Sequence, residues 1–366
     1  MSAKLNELTR WMKERGVDLT LITSPANILY LTRFHCDPHE RLLSLIIPAE
    51  EQPFLIAPRM EVQRAKDAGW KGEILGYDDA EDPWKRIREK LDRLGRHAVR
   101  TIAVEKEHLT QGRAERLLSL YPEASLVSVE EKIYELRAIK DRDEIRLLAR
   151  AARLADYGVE IGIDTLREGC TEMEIVAEIE YQLKRQGVQG MSFSTTVLFG
   201  ERTALPHGTP ETRKLVPGDL VLFDLGVIVE GYCSDITRTV AFRRIDVEQR
   251  QIYDTVLRAQ RAAIQRCSPG TPIREVDQAA RKVITSAGYG DRFTHRVGHG
   301  LGIEVHEYPS LSASNEQTLQ EGMVFTVEPG IYLPGKGGVR IEDDVVITAD
   351  GCQILTHFPK ELKIVE

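Results

Sequence analysis

Two stretches of this chain repeat each other. "GCTEMEIVAEIEYQLKRQG" (169–187) and "GTPIREVDQAARKVITSAG" (270–288) are both 19 residues long, begin and end in glycine, and match in their apolar positions. Each reads as a capped helix. The segments that follow also correspond. "LVPGDLVLFDLG" (215–226) and "LQEGMVFTVEPG" (319–330) set Gly218 against Gly322, Asp224 against Glu328 and Gly226 against Gly330. One match could be chance. Two in the same order predict a duplicated α/β unit with pseudo-two-fold symmetry. A site between the halves would then receive an acidic residue from each.

Those acids sit where acids do not belong. "DLVLFDLGVIVEGYCSDITRTVAF" (219–242) reads as a β-hairpin turning near Glu230–Gly231. With a two-residue turn, Asp224 faces Thr237 and Asp235 lies one same-face step away, because strand side chains alternate. "MVFTVEPGIYLPGKGGVRIEDDVVIT" (323–348) repeats the arrangement around Gly335, with Glu328 and Glu342 directly opposed. A lone acid near a strand end is ordinarily a turn or edge residue. Two hairpins that each bury a pair of carboxylates on one face need a cation to offset the cost. Oxygen ligands with one imidazole suit divalent Mn, Co, Fe or Zn. Four carboxylates exceed the needs of one ion and fit a pair of ions ~3.5–4 Å apart.

The first third has a different texture. "LTLIT" (19–23), "LLSLIIP" (42–48), "PFLIAP" (53–58), "EILGY" (73–77), "RTIAVE" (100–105) and "SLVSV" (125–129) read as strands, the second and third as a hairpin. Helical patterns lie between them, such as Trp84, Ile87, Leu91 and Leu94 on one face. This predicts an α/β domain with a mixed sheet over residues 1–129. Beyond it, "EEKIYELRAIKDRDEIRLLARAARLADYGVEIG" forms one or two long charged helices and opens a second domain, 130–366, of α+β type with the internal repeat.

Composition excludes several classes. A net charge of −8 argues against nucleic-acid or anionic-membrane partners. No apolar run approaches a membrane span, and the first residues lack the apolar core of a secretory signal. Five scattered cysteines without a Cys-x-x-Cys read as reduced thiols, so a cytoplasmic protein is expected.

Three of the nine histidines fall in "THRVGHGLGIEVHEYP" (294–309). The ordered set Asp224, Asp235, His299, Glu328 and Glu342, in "LFDLG", "GYCSDITRT", "GHGLGIEVHE", "TVEPGIY" and "VRIED", resembles the pita-bread metallopeptidases: methionine aminopeptidase, aminopeptidase P and prolidase. "SPANILYLTRF" and "ERLLSLIIP" resemble the N-terminal domain of aminopeptidase P, prolidase and creatinase. The short length is closest to bacterial and archaeal Xaa-Pro dipeptidases. One departure is Arg33, where glycine is common after "YLT".

The resemblance implies that Asp224 chelates one ion, that Asp235 and Glu342 bridge two, and that His299 and Glu328 complete the second. It implies hydrolysis of the bond before proline in Xaa-Pro dipeptides or short peptides, with two divalent ions, Mn foremost and Co or Zn as alternatives. The runner-up is an Xaa-Pro aminopeptidase acting on longer peptides. Intact ligands speak against creatinase-like or non-enzymatic relatives. Glu328 is expected to shuttle the proton. By the same resemblance His207, in "TALPHGTP", and His306 line the cavity and bind the substrate carbonyl or oxyanion. Two residues before Glu342, Arg340 would orient a carboxylate ligand or bind the substrate's terminal carboxylate. In dimers of this family an N-terminal loop can border the partner's site. A homodimer is therefore expected, with Asp37, His39 or Arg41 of "FHCDPHERLL" helping to close the neighbour's cavity. No role falls to His295, and Glu304 and Glu307 are not metal ligands on this reading.

Overall fold

The computed structural model describes residues 3–366. Contacts divide the chain into two compact units, Met1–Arg137 and Ala138–Glu366. The first contains α1 (Ala3–Arg15), β1 (Leu19–Ile22), α2 (Pro25–Thr32), β2 (Ser44–Pro48), β3 (Phe54–Pro58), α3 (Val62–Asp67), β4 (Glu73–Tyr77), α4 (Pro83–Arg93), β5 (Thr101–Val104), α5 (Gln111–Leu120), β6 (Ser125–Ser128) and α6 (Glu130–Ala138). Its six strands form one sheet in the order β4-β3-β2-β1-β5-β6. The β2–β3 and β1–β2 pairs are antiparallel and the others parallel, which makes the sheet mixed.

Sequence periodicity finds α4 because it is amphipathic. Asp82 caps it, Pro83 opens it, and Trp84, Ile87 and Leu91 bury one stripe against Leu19, Phe54 and Ile102. The same reasoning passes over α2. Its residues Asn27 to Thr32 are all buried, so no period shows. This helix ends at Arg33 in the left-handed conformation, φ 63°, which explains why glycine suits that position. The two units divide at the C-terminal end of α6, between Arg137 and Ala138, and the Arg137–Asn27 side-chain bond and the Tyr30 hydroxyl on the Leu136 carbonyl tie this helix to the first unit.

The second unit begins with α7 (Arg142–Thr165) and α8 (Glu172–Arg185), followed by β7 (Gly190–Met191), β8 (Thr196–Phe199), β9 (Leu220–Leu225), β10 (Val227–Val229), β11 (Tyr232–Cys233) and β12 (Ile236–Phe242). Next come α9 (Val247–Ile264), α10 (Ile273–Ser286), β13 (Gly298–Gly300), β14 (Glu307–Leu311), β15 (Val324–Val327), β16 (Gly330–Leu333), β17 (Gly337–Arg340), β18 (Asp343–Thr348), β19 (Gly351–Ile354) and β20 (Ile364–Val365). Two of its sheets are backed by a helix pair each. Leucine, isoleucine and valine of α7 and α8 pack on β8, β9 and β12. The equivalent residues of α9 and α10 pack on β15 and β18.

The repeat is visible bond by bond. Gly169 N donates to Leu215 O at 2.9 Å, and Gly270 N to Leu319 O at 2.8 Å. Isolated bridges follow at Thr171–Lys214 and at Pro272–Thr318. Gly218 and Gly322 share the left-handed conformation, φ 100° and 85°. One expectation needs correction. The box of Thr171 and Glu174 caps α8, but Pro272 precedes α10 and lends it no side-chain cap.

Candidate metal centre

Each half contributes a β-ribbon that passes from one sheet into another, and the acids lie at the crossing. In the first ribbon β9 pairs with β12, setting Asp224 opposite Thr237, while β10 and β11 join β7 in a separate sheet. Glu230 and Gly231 make the turn, both with positive φ (50° and 84°), as a two-residue hairpin turn of the type that matches strand twist requires. In the second ribbon β15–β18 and β16–β17 belong to different sheets but keep one register, which sets Glu328 across from Glu342. The crossing frees backbone groups for other partners. Asp235 N donates to Asp344 Oδ2 at 3.1 Å. Glu328 N donates to Val297 O at 2.8 Å, and Glu342 N to Thr237 O at 3.1 Å. The opposed glutamates are thus tied to different neighbours, Glu328 beside β13 and Glu342 beside β12.

His299 enters from β13. Its flanking glycines leave no room for side chains: a Cβ at Gly298 would lie 1.9 Å from Thr326 O, and one at Gly300 would lie 2.3 Å from Tyr308 O. The close approach they permit is to neighbouring strands. Nδ1 of His299 lies 3.1 Å from Gly300 O, an acceptor, so Nδ1 carries the proton and Nε2 offers its lone pair. Nε2 is 3.5 Å from Glu328 Oε1 and 3.7 Å from Asp235 Oδ2. Ligand-capable atoms of Asp235, His299 and Glu342 all lie within 4.8 Å of one another.

Electrostatics make this cluster hungry for a cation. Burial pushes the Asp235 carboxyl well above its ordinary range, and Glu342, Asp224, Asp344 and Glu328 add to the push. Burial, Glu328 and Asp224 do the same to Glu342. Glu328 rises to about 7, chiefly through burial, against the pull of Arg340. His299 falls to about 3 by burial and the neighbouring His306, which keeps its imidazole neutral. Carboxylates gathered out of water beside a neutral imidazole fit a hard divalent ion, whose charge offsets their repulsion.

A cavity of about 350 Å³ opens over the cluster, walled by all five of these residues together with His207, His306 and Arg340. The His306 ring stands edge-on to His299, with centroids 4.2 Å apart. Arg340 is buried, and each of its three nitrogens has a partner: Nε bonds Thr237 Oγ1 at 3.0 Å, Nη1 bonds Tyr332 Oη at 3.1 Å, and Nη2 pairs with Asp224. Thr237 Oγ1 in turn donates to Glu342 Oε2 at 2.6 Å.

Six wall residues escaped sequence reasoning: the polar His295, Arg296 and Tyr332, and the apolar Phe193, Pro206 and Val305. His295 Nε2 lies 2.9 Å from Tyr332 Oη, and burial lowers its pKa to about 4. Its place in the histidine-rich stretch was the signal available. His39 is not among the wall residues. It lies in the first unit, exposed, with Nδ1 3.5 Å from Asp37 Oδ2. Arg41 pairs there with Asp79 at 2.8 Å.

Residues 146–349 match the family described as Metallopeptidase family M24, and residues 4–139 match the Creatinase/Prolidase N-terminal domain. The chain belongs to metallopeptidase family M24. A Bacillus subtilis (strain 168) relative named "Putative dipeptidase YkvY" is 53% identical over 361 residues, 99% of each chain. The solved Xaa-Pro dipeptidase from Bacillus anthracis superposes with TM-score 0.92 at 34% identity, covering 99% of both chains. The X-Pro aminopeptidase from Thermotoga maritima MSB8 gives 0.88 at 33%, covering 96% of this chain and 99% of its own. The metallopeptidase therefore has the creatinase-type N-terminal domain and pita-bread catalytic fold expected from its motifs. Metal dependence follows from the family, and Asp235, His299 and Glu342 form its candidate carboxylate–imidazole site. Among the described residues no helix is long and apolar enough to cross a membrane.

Proposed function

We propose that this metallopeptidase cleaves the bond before proline in Xaa-Pro dipeptides, with two divalent ions, Mn foremost, held by Asp224, Asp235, His299, Glu328 and Glu342. The observation that carries the reading is the convergence of those five side chains on one small cavity. Its volume, about 350 Å³, lies at the small end of ligand pockets, as a dipeptide needs. The names of similar chains, a dipeptidase and an Xaa-Pro dipeptidase, support it further.

When bound, such ions acidify water and polarise a carbonyl. The chain's own residues do the rest. Glu328 accepts a proton from the attacking water and delivers it to the proline nitrogen. That nitrogen leaves as a secondary amine and must be protonated. His306 and His207 donate N–H to the carbonyl oxygen as charge builds on it. Burial lowers the His306 pKa, favouring the neutral ring that donates without repelling the ions. Arg340 orients Asp224 and, through Thr237, Glu342. Its engaged donors favour this over capture of the substrate carboxylate. Arg296, with Nη1 on Ser310 Oγ at 3.1 Å, is the second cation of the wall and suits that carboxylate. Phe193, Pro206 and Val305 offer apolar surface for the proline ring.

A cytoplasmic homodimer completes the proposal, with the second unit as the catalytic part and the first as the part whose loop, through Asp37, His39 or Arg41, helps close the neighbour's cavity. Mixed dimers carrying His39→Ala on one subunit and Glu342→Gln on the other would test it. One intact composite site should restore part of the activity, and hybrids without activity would refute the shared site. For the substrate, hydrolysis of an Xaa-Pro dipeptide and an Xaa-Pro tripeptide is compared with added Mn, Co or Zn. The dipeptide should be preferred, whereas a strong tripeptide preference would make the chain an Xaa-Pro aminopeptidase.

A further inference from the structure

Glu307 follows His306 directly, yet it turns away from the cavity. Its side chain is only 4% exposed and pairs with Lys140 Nζ at 3.2 Å, itself 2% exposed. The same carboxylate accepts the Glu304 backbone N–H at 3.1 Å. It also fills the space above Gly302, where a Cβ would meet its two oxygens at 2.5 and 2.6 Å. The loop closes around it: Gly302 N donates to Glu304 O at 3.1 Å, and Cys233 N donates to Gly302 O at 2.7 Å. In the ladder Glu307 stands opposite Gly300, just past the irregularity that separates His299 from Gly300. Lys140 is pinned in its turn, its backbone N donating to Gly322 O at 2.9 Å.

We infer that Glu307, neutralised by Lys140, is the positioning residue that folds the 301–306 loop and holds His306 over the centre. The carboxylate touches no reacting atom. It gives the loop an internal acceptor that water would otherwise supply, and Lys140 keeps it inside, because an unpaired buried carboxylate would swing out to solvent. The inference rests on the proposed role of His306 at the substrate carbonyl.

The test uses the full-length, Mn-loaded enzyme and an Xaa-Pro dipeptide. Wild type, H306A, E307Q, G302A, E307A and G302A/E307A are compared for kcat, KM, Mn affinity by calorimetry and Tm. Gly302 lacks a positive φ, so alanine there tests space alone. E307Q and G302A should each lower kcat by about 10-fold or more, in the range of residues that orient ligands, with Mn affinity within about 2-fold of wild type. G302A should add nothing in the E307A background. If H306A loses activity while E307Q and G302A retain it, the positioning role is wrong and the reading of His306 survives. If H306A stays fully active, both fall. A parallel loss of Mn affinity in E307Q would also overturn the inference, since Glu307 would then act on the metal. Should the single variants fail to fold, K140M/E307L replaces the pair with apolar groups, which often preserves stability. Its Tm should recover while kcat stays low, and recovery of both would make the pair merely structural.

Discussion

The two β-ribbons of the catalytic unit have the same plan and different equipment. Each crosses between sheets, and each carries a pair of acids at the crossing. The first brings Asp224 and Asp235, the second Glu328 and Glu342, one methylene longer. Three of the cavity's four histidines, both arginines and Tyr332 come from the second half, whereas the first adds His207, Phe193 and Pro206. Duplication thus explains the charge of the site, and the departures from symmetry explain its chemistry. The imidazole set among the acids, His299, comes from the second half only, and its neutral ring with Nε2 turned to Glu328 and Asp235 makes the two ends of the carboxylate cluster unequal.

Removing one acid from either ribbon tests the shared part. Asp235→Asn and Glu342→Gln should each reduce kcat by at least about 10³-fold and lower metal stoichiometry, as expected when metal-ion catalysis is lost. Calorimetric titration with Mn and steady-state rates check both. A variant that keeps full metal content and activity would remove that ribbon from the centre. The asymmetric part is tested by His306→Ala, expected to cost about 10²–10³-fold in kcat, the range for an oxyanion donor, with metal content unchanged. Undiminished kcat would show that the second half's extra imidazole is idle.

A third effect separates the cluster from its metal. Glu328 rises to about 7, and Asp235 and Glu342 lie well above their ordinary range. An acid whose folded pKa is raised contributes stability below its unfolded pKa and loses it as pH climbs through the folded one. Buried neutral His295 and His299 work the other way, but only below about 6.5, their unfolded value. Between about pH 6.5 and 8 the acids dominate, so metal-free protein should lose thermal stability as pH rises. The Mn-loaded protein should not. Calorimetric scans of both forms across that window decide it, and parallel curves would mean the acids titrate normally.

The smallest contrast concerns two threonines. Thr237 donates to Glu342 at 2.6 Å and accepts from Arg340, whereas the contact of Thr326 with Glu328 is 3.5 Å. Thr237→Val should cost about 1 kcal/mol of stability and about 10-fold in metal affinity, Thr326→Val less of each. Equal losses would show that both ribbons brace their glutamates alike.

Much of this was legible in the chain because strand geometry is local. The pairing of Asp224 with Thr237 follows from a two-residue turn and period-two alternation. The helix pairs and their matching bonds follow from a repeat readable letter by letter. Legibility ended where neighbours in space are far apart in sequence. The opposed Glu328 and Glu342 are a local fact, but their attachment to Val297 and Thr237 is not. The α2 helix, buried on every side, had no period to show. His295 and Tyr332 looked unremarkable until folding set them 2.9 Å apart in the cavity wall.

The sequence alone determined the acids and their register, since hydrophobic patterning and turn length set these within each ribbon, whereas the imidazole from β13 was implied only by the resemblance of its motif. Only the tertiary structure decided which strand holds each glutamate, which guanidinium is already engaged, and that Glu307 braces the loop of its neighbour His306. Those outcomes depend on which strands and loops share the few ångströms around the cavity, and no local pattern encodes that.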